Sequence, residues 1–134
     1  TYLKEKNQEI KIIAVQPQKN HNIQGLRNLE ESEKPELFKR RSNIIDEMIT
    51  ISDKESFDMI KKLAAYENIF AGPSTGTVLA GLNKTKTKFN KGSIVLLFGD
   101  DAKKYKSIYT KFNLYTENEF DLLLNNSRNL CKNT

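Results

Sequence analysis

The chain has 134 residues, of which 37% are hydrophobic, so it is large enough for one domain with a single core. Its 22 basic and 17 acidic residues give a net charge of +5, but the lysines are scattered among acids and form no basic stripe, which argues against a nucleic-acid partner. No apolar run reaches the roughly 18 residues that a membrane helix needs, which argues against a membrane partner.

The termini and the cysteine content indicate the compartment. Residues 1–9 are polar, with neither a signal peptide nor an initiator methionine, so we expect that Thr1 is not a natural start. The single cysteine, Cys131, excludes an internal disulfide framework, in keeping with the reducing cytoplasm where we expect the protein to be located.

The first half of the chain predicts two strands separated by a long irregular segment. A polar helix end at residues 2–7 precedes an isoleucine-rich strand over residues 9–15. Residues 16–41 lack periodicity, and loops of this length in compact domains are usually functional or disordered. Residues 46–51 predict the second strand.

A capping box marks the start of the next helix. The Ser52 hydroxyl can accept from the backbone N–H of Glu55, and the Glu55 side chain can reach back to Ser52. The helix should run to about Glu67, with one face in the core formed by Phe57, Ile60, Leu63 and Ala64.

The remaining chain predicts a further strand between helices. Ser74 can cap a helix that follows the tight loop at residues 69–76. The continuous apolar run at residues 93–98 is typical of a strand covered on both faces. A turn leads into a helix over residues 103–109, and the tail has a short helical stretch at residues 120–124.

Strands that alternate with helices predict parallel βαβ units, in which ligands bind beyond the carboxyl ends of the strands. These ends lie at residues 16–17, near Ser52 and at residues 99–101. We therefore expect an α/β fold with its site at this edge of the sheet.

Taken one by one, the motifs leave more than one interpretation open. The loop at residues 72–77 can offer backbone N–H groups to an anion, but glycine, proline and serine also suit an ordinary helix start. Asp100 and Asp101 can act as acid or base, or as turn residues. His21 is the only histidine, so a zinc site is not expected, and we interpret it as a loop residue.

Several segments together carry a more specific signal. Residues 2–17 look like a helix and strand that end in V-E-P, and residues 23–28 look like a loop with I-x-G-[IL]. Residues 67–76 are similar to E-G-I-F-x-G-x-S-[ST]-G. Residues 94–107 look like a strand followed by [RK]-Y-L-S. In order and spacing, the set resembles the cysteine synthase family of fold type II enzymes, which depend on pyridoxal 5'-phosphate (PLP).

The resemblance implies an α/β fold, namely a three-layer parallel-sheet fragment of the large domain of a fold type II PLP enzyme. Residues 1–112 would be the C-terminal part of that domain, and residues 113–134 a C-terminal tail. The implied reaction replaces the β-substituent of an activated serine, O-phosphoserine or O-acetylserine, with sulfur from a second small molecule. Family members are usually homodimers.

The resemblance also implies site residues. The family's phosphate loop and its PLP-binding lysine precede the matching segments, so the chain would need the N-terminal remainder of the enzyme as a partner and would be inactive alone. No catalytic residue is therefore expected in this chain. The implied cofactor-binding residues are Gly99, Asp100, Asp101 and Gly25, and the implied substrate-binding residues are Arg27, Leu26 and Ser74.

Among the departures from the family pattern are four positions, one of which is Lys106, which stands at the leucine of [RK]-Y-L-S. By spacing from Tyr105, Asp101 stands where the family often has a serine beside the pyridine nitrogen, and a carboxylate there would favour a protonated pyridinium. Pro73 removes one N–H from its loop. Arg27 follows Gly25 where acetylserine-using members have small residues, and it is similar to the arginine of members that take O-phosphoserine.

Two alternatives remain open. The protein could belong to an enzyme for another β-replacement or elimination, of the cystathionine or diaminopropionate type. It could also be a degenerate domain that binds a partner and performs no chemistry.

Overall fold

A parallel pair of strands organises the fold. The computed structural model describes residues 2–89 and 91–130. Strand β1 spans Ile13–Pro17 and strand β2 spans Glu47–Ile51, and they pair in parallel with Ile13 opposite Glu47. Both strands were expected, although β1 begins later than residues 9–15. The parallel α/β architecture is thereby confirmed.

Six helices accompany this sheet in the described ranges. The connection between the strands, expected to be irregular, contains one short helix and a single 3₁₀ turn at residues 42–44. A second 3₁₀ turn follows the fourth helix at residues 86–88, and a third precedes the fifth at residues 103–105. The helices are α1 (Tyr2–Lys6), α2 (Glu36–Arg41), α3 (Asp53–Glu67), α4 (Pro73–Thr85), α5 (Lys106–Lys111) and α6 (Glu117–Leu130).

The predicted capping box at the start of α3 is confirmed. The Ser52 hydroxyl accepts from the Glu55 N–H at 3.3 Å, and the Glu55 carboxylate accepts from the Ser52 N–H at 2.8 Å. Hydrogen bonds that Lys84, the Ser52 N–H and the Ser52 hydroxyl donate to the Glu55 carboxylate lower the pKa of Glu55 to about 2. The ion pair between Glu55 and Lys84 also ties the start of α3 to the end of α4.

Helix α4 begins differently from the expectation. Gly72 is the N-cap residue and Pro73 opens the helix, whereas Ser74 makes no capping hydrogen bond. Proline suits this position because its fixed φ is helical and the N–H that it lacks would have no helical partner. The prediction that Ser74 caps α4 is therefore wrong.

The segment at residues 93–98 does not join the sheet. It has no regular secondary structure, and its backbone makes no hydrogen bond with any residue that the structure describes. Val95 is 83% exposed and Leu97 84% exposed. The prediction of a strand buried on both faces is wrong for this structure, because burial of such a strand requires neighbours that the described residues do not provide.

An aromatic cluster forms the core beneath α5 and α6. The Phe70 ring centroid lies 5.7 Å from that of Tyr109 and 4.9 Å from that of Phe120. The Tyr109 hydroxyl donates to the Ala71 carbonyl at 2.5 Å. Leu114 belongs to the same cluster, so the segment after residue 112 packs on the core.

Two further expectations concern membrane-spanning helices and the single cysteine. Within the described ranges, no helix is both long and apolar enough to cross a membrane. Cys131 lies outside the described residues.

Helices α3 and α4 approach each other closely at Gly76. A Cβ added there would overlap with the Ser56 carbonyl oxygen and lie 2.8 Å from Cγ1 of Ile60. We expect Gly76→Ala to lower the free energy of unfolding by about 1–3 kcal/mol, since forcing atoms into a packed interface separates the helices. Urea unfolding measures the change.

Asn83→Ala is the matched control on the exposed face of α4. It adds the better helix former without a clash, so the free energy of unfolding should stay unchanged or rise by a few tenths of a kcal/mol. A Gly76→Ala variant as stable as this control would contradict the close approach.

Candidate functional site

Backbone hydrogen bonds join the turn after residue 98 to the start of α4. The Gly72 N–H donates to the Asp100 carbonyl at 2.9 Å, and the Ala102 N–H donates to the Phe70 carbonyl at 3.2 Å. Ala71 and Asp101 form an isolated antiparallel bridge. The turn is therefore held against the helix N-terminus even though the segment before it is unpaired.

The Asp100 carboxylate is the chemical centre of this region. Its Oδ2 accepts from the Tyr105 hydroxyl at 2.8 Å and from Nζ of Lys104 at 2.6 Å. Its Oδ1 is buried and has no hydrogen-bond partner within the described residues. An unpartnered buried carboxylate oxygen is costly, because it gives up hydration without a replacement.

Charge and burial act on this carboxylate in opposite directions. Burial raises the pKa of Asp100, but hydrogen bonds from Lys104 and Tyr105, with the Lys104 charge, outweigh it and lower the pKa overall. The pKa of Tyr105 is raised, chiefly by burial and then by its bond to Asp100. The cluster therefore contains an ionised carboxylate and a neutral phenol at neutral pH.

Two glycines lie against this cluster. A Cβ on Gly72 would overlap with Oδ1 of Asp100 and lie 2.7 Å from Cε2 of Tyr105. Gly25 has a φ of +88°, and a Cβ on it would lie 3.7 Å from the Tyr105 hydroxyl oxygen. The loop that carries Gly25 thus lies beside the Tyr105 hydroxyl, which donates to Asp100.

Buried amides fix that loop to the strand ends. The Asn28 side chain donates to the Pro17 carbonyl at 2.8 Å, and the Leu29 N–H donates to Oε1 of Gln16 at 3.1 Å. Nε2 of Gln16 in turn donates to the Thr50 hydroxyl at 3.2 Å. Because Asn28 and Gln16 are both buried, their hydrogen bonds hold the loop at the carboxyl ends of β1 and β2.

Histidine has a local role in the same loop, as expected. Nδ1 of His21 accepts from the Ile23 N–H at 3.1 Å, and Ile23 is buried in the core. The ring nitrogen therefore satisfies a backbone donor, which fits the interpretation of His21 as a loop residue.

The sequence-predicted site residues separate into two groups. Gly25, Asp100, Gly99 and Ser74 come together, and a Cβ on Gly99 would lie 3.8 Å from the Ser74 hydroxyl oxygen. Asp101 points elsewhere, because its exposed carboxylate accepts from the Lys103 N–H at 2.8 Å.

Leu26 and Arg27 face different surroundings. Leu26 is partly buried and packs against the core cluster. Arg27 is exposed, and its guanidinium makes no hydrogen bond or ion pair with any residue in the described ranges.

Sequence reasoning included Gly72 in a possible anion-binding loop but did not assign Lys104 and Tyr105 to the site. Their spacing offered a signal, because Lys104 and Tyr105 follow Asp100 by four and five residues and can return to it across one helical turn. Gln16 and Asn28 carried no such signal, since their roles depend on contacts between distant segments.

The hydrogen bonds to Asp100 can be tested directly. Since burial by itself raises this pKa, removing either donor should raise it, so Tyr105→Phe and Lys104→Met should each show a higher Asp100 pKa than the unaltered chain. The measurement is carbon-13 NMR of the labelled Asp100 carboxyl across a pH series.

Lys103→Met is the control, because it removes a neighbouring lysine that does not contact Asp100 and should leave the pKa in place. The native carboxylate stabilises the fold above the usual aspartate pKa, and this contribution disappears as the pH falls through its lowered value. An unchanged pKa in Tyr105→Phe would contradict the cluster.

Known proteins match most of the chain. Residues 1–100 match the family described as pyridoxal-phosphate dependent enzyme. A cysteine synthase from Helicobacter pylori is 34% identical over 121 residues, which cover 81% of this chain and 38% of that protein. A cysteine synthase from Aquifex aeolicus is 33% identical over 108 residues, covering 77% of this chain and 32% of that protein.

A solved structure supports the same relationship. The O-acetylserine dependent cystathionine beta-synthase from Helicobacter pylori superposes with a TM-score of 0.69 at 32% identity, covering 79% of this chain and 36% of that one. The chain thus spans about a third of the length of the curated relatives that it matches. It belongs to the family of fold type II pyridoxal-phosphate dependent enzymes and, within that family, is related to the cysteine synthases.

Proposed function

We propose that this chain contributes the pyridine side of the cofactor site and the substrate rim of a PLP-dependent cysteine synthase. The enzyme would replace the β-substituent of O-phosphoserine or O-acetylserine with sulfur. The observation that carries the proposal is the buried, unpartnered Oδ1 of Asp100, which lies against Gly72 at the start of α4. The family match supplies the class of cofactor.

The residues around Asp100 fit such a cofactor. A protonated pyridine nitrogen is a hydrogen-bond donor, and Oδ1 of Asp100 is an acceptor without a partner. The Cβ position of Gly72 is filled by Oδ1 of Asp100 and the Tyr105 ring, so the missing side chain lets this carboxylate lie against the start of α4. When bound, PLP supplies an electron sink for the carbon atoms of the amino acid.

Asp100 rather than Asp101 is the better candidate for this contact. Asp101 stands at the family's serine position by spacing, but its carboxylate caps the Lys103 N–H at the surface. Asp100 faces Gly72 and is held by Tyr105. An ionised carboxylate beside the pyridine nitrogen would keep a proton on that nitrogen, which strengthens the electron sink. Gly99 would shape the same turn.

The rim of the site would recognise the substrate. Buried amides hold the loop that carries Gly25, Leu26 and Arg27, so its backbone is in place before a ligand arrives. The exposed Arg27 guanidinium can donate two parallel hydrogen bonds to a phosphate. A neutral acetyl ester offers no comparable charge, so we propose O-phosphoserine as the preferred substrate, with Ser74 as a further substrate contact.

Other readings of the same site remain as alternatives. One structural relative is described as an O-acetylserine dependent cystathionine beta-synthase, which favours another β-replacement as the runner-up. A degenerate binding domain is the non-enzyme alternative. A partner segment with a lysine in an N-x-x-x-S-x-K context and a G-T-G-G-T loop would support the enzyme. The proposal includes the homodimer that is usual in the family. It also includes a cytoplasmic location.

The substrate choice predicts a selective effect of Arg27→Ala. In an enzyme that joins this chain to a family-type N-terminal part, the change should reduce kcat/KM for O-phosphoserine roughly thirtyfold, or about 2 kcal/mol, the scale of hydrogen bonds to a charged group. The value for O-acetylserine should barely change. Steady-state kinetics with both substrates measure the effect.

Arg40→Ala is the matched control, because it removes an exposed arginine from α2 that pairs with Glu36. It should leave both substrates unaffected. Equal losses for both substrates in Arg27→Ala would mean that this side chain holds the loop rather than the phosphate.

The proposal also predicts that the 134-residue chain is inactive on its own. The pattern N-x-x-x-S-x-K occurs once, at residues 28–34, but its Lys34 is exposed and the sequence contains no G-T-G-G-T loop, so incubation with PLP, either serine ester and sulfide should yield no cysteine. Borohydride reduction and peptide mapping should find no single lysine that carries the cofactor stoichiometrically. Stoichiometric labelling of one lysine together with turnover would refute this.

A further inference from the structure

Gln16 is a buried amide at the carboxyl end of β1, beside the loop that carries Gly25. It is 7% exposed and stands opposite Thr50 of β2 in the register of the two strands. Its Oε1 accepts from the Leu29 N–H at 3.1 Å, and its Nε2 donates to the Thr50 hydroxyl at 3.2 Å. The partners that enclose this amide all belong to the chain itself.

The hydrogen bonds of Gln16 do not by themselves require an amide. A glutamate has the same shape and could accept from the Leu29 N–H and also from Thr50, because a hydroxyl donates as readily as it accepts. The V-E-P pattern that residues 15–17 resemble has a glutamate at this place. Glutamine differs from glutamate here in one property, which is that it carries no charge.

A charge at residue 16 would lie close to Arg27. Oε1 of Gln16 is bonded to the N–H of Leu29, two residues after Arg27. Because two Cα steps span at most about 7.6 Å, this oxygen lies within roughly 12 Å of the Arg27 Cα. Charges at such a separation still interact at low ionic strength, where the Debye length reaches about 30 Å at 0.01 M.

The acidic side chains that follow Arg27 are engaged with the other arm of the loop. Glu30 pairs with Lys19 at 2.8 Å, and both oxygens of Glu31 accept from the Asn20 N–H, at 2.9 and 3.1 Å. In the part of the chain that the structure describes, no ion pair joins either of them to Arg27. The loop therefore holds its arginine beside a neutral amide rather than beside a buried carboxylate.

We propose that Gln16 is a specificity-determining residue that keeps the base of this loop uncharged, so that the Arg27 guanidinium favours an anionic phosphate over a neutral ester. The inference rests on the proposed choice of O-phosphoserine as substrate. Gln16 acts through the electrostatic potential at Arg27 rather than by contact with the substrate. A carboxylate in its place would repel the phosphate and compete with it for the guanidinium.

Gln16→Glu adds the charge and keeps the shape. In an enzyme that joins this chain to a family-type N-terminal part, at an ionic strength of about 0.01 M, kcat/KM for O-phosphoserine should fall roughly fivefold or more. The loss should appear in KM with kcat unchanged, because the charge weakens the binding of substrate and transition state alike. The value for O-acetylserine, which lacks the phosphate charge, should stay within about twofold.

Salt and an equilibrium measurement identify the cause as charge. At an ionic strength of about 1 M the Debye length is roughly 3 Å, so most of the selective loss should disappear. Calorimetric titration of the same enzymes with inorganic phosphate, which involves no turnover, should give a dissociation constant raised by a similar factor in Gln16→Glu at low ionic strength.

Gln16→Met is the matched control, because it is similar in shape but has neither the charge nor the hydrogen bonds. It should loosen the loop and reduce kcat/KM for both substrates by the same factor, at either ionic strength. Thr50→Asp places a carboxylate beside the same amide at an exposed position, and Thr50→Asn is its neutral counterpart. This second pair gives the same comparison if Gln16→Glu does not fold.

Comparison with Arg27→Ala separates this inference from the proposed substrate. A selective loss in Arg27→Ala, with losses in Gln16→Glu that are equal for both substrates or insensitive to salt, would overturn the role of Gln16 alone. Equal losses for both substrates in Arg27→Ala would overturn the choice of O-phosphoserine and this inference with it.

Discussion

The structure depends on the close approach of the chain at Gly72. This residue ends the buried segment after α3, caps α4 and donates its N–H to the Asp100 carbonyl. Any side chain there would occupy the space of the Asp100 carboxylate. A single residue without a Cβ therefore sets both where the helix begins and how near the turn can lie, and the geometry of the whole candidate site follows from it.

A second constraint comes from buried amides rather than from charge. The side chains of Gln16 and Asn28 connect the loop that carries Gly25 to both strands. Such side chains are neutral, so they can be buried at less cost than carboxylates, provided that their hydrogen bonds are satisfied. The loop thereby keeps a defined shape without regular secondary structure, which leaves its outward residues free to contact a ligand.

The elements that are predicted well from the sequence are those whose structure depends on residues close together in the chain. Ser52 and Glu55 form their capping box within one turn, and the helix that follows ends at Glu67 as expected. The segment at residues 93–98 was not predicted well, because burial depends on what lies beside a strand and an apolar run does not contain that information. The sequence also could not predict where the side chains of Asp100 and Asp101 point, because the geometry of the turn determines which of two adjacent carboxylates faces inward.

The aromatic cluster beneath α5 and α6 has an optical consequence. The chain contains no tryptophan, so its five tyrosines account for the intrinsic fluorescence. Tyr105 donates to the Asp100 carboxylate, and its ring centroid lies 6.4 Å from that of Tyr109. Excitation energy absorbed in the core can pass between rings at such a separation to a phenol at the edge of the site. Any bound chromophore that absorbs tyrosine emission would then quench this light, so the chain contains its own reporter of occupancy.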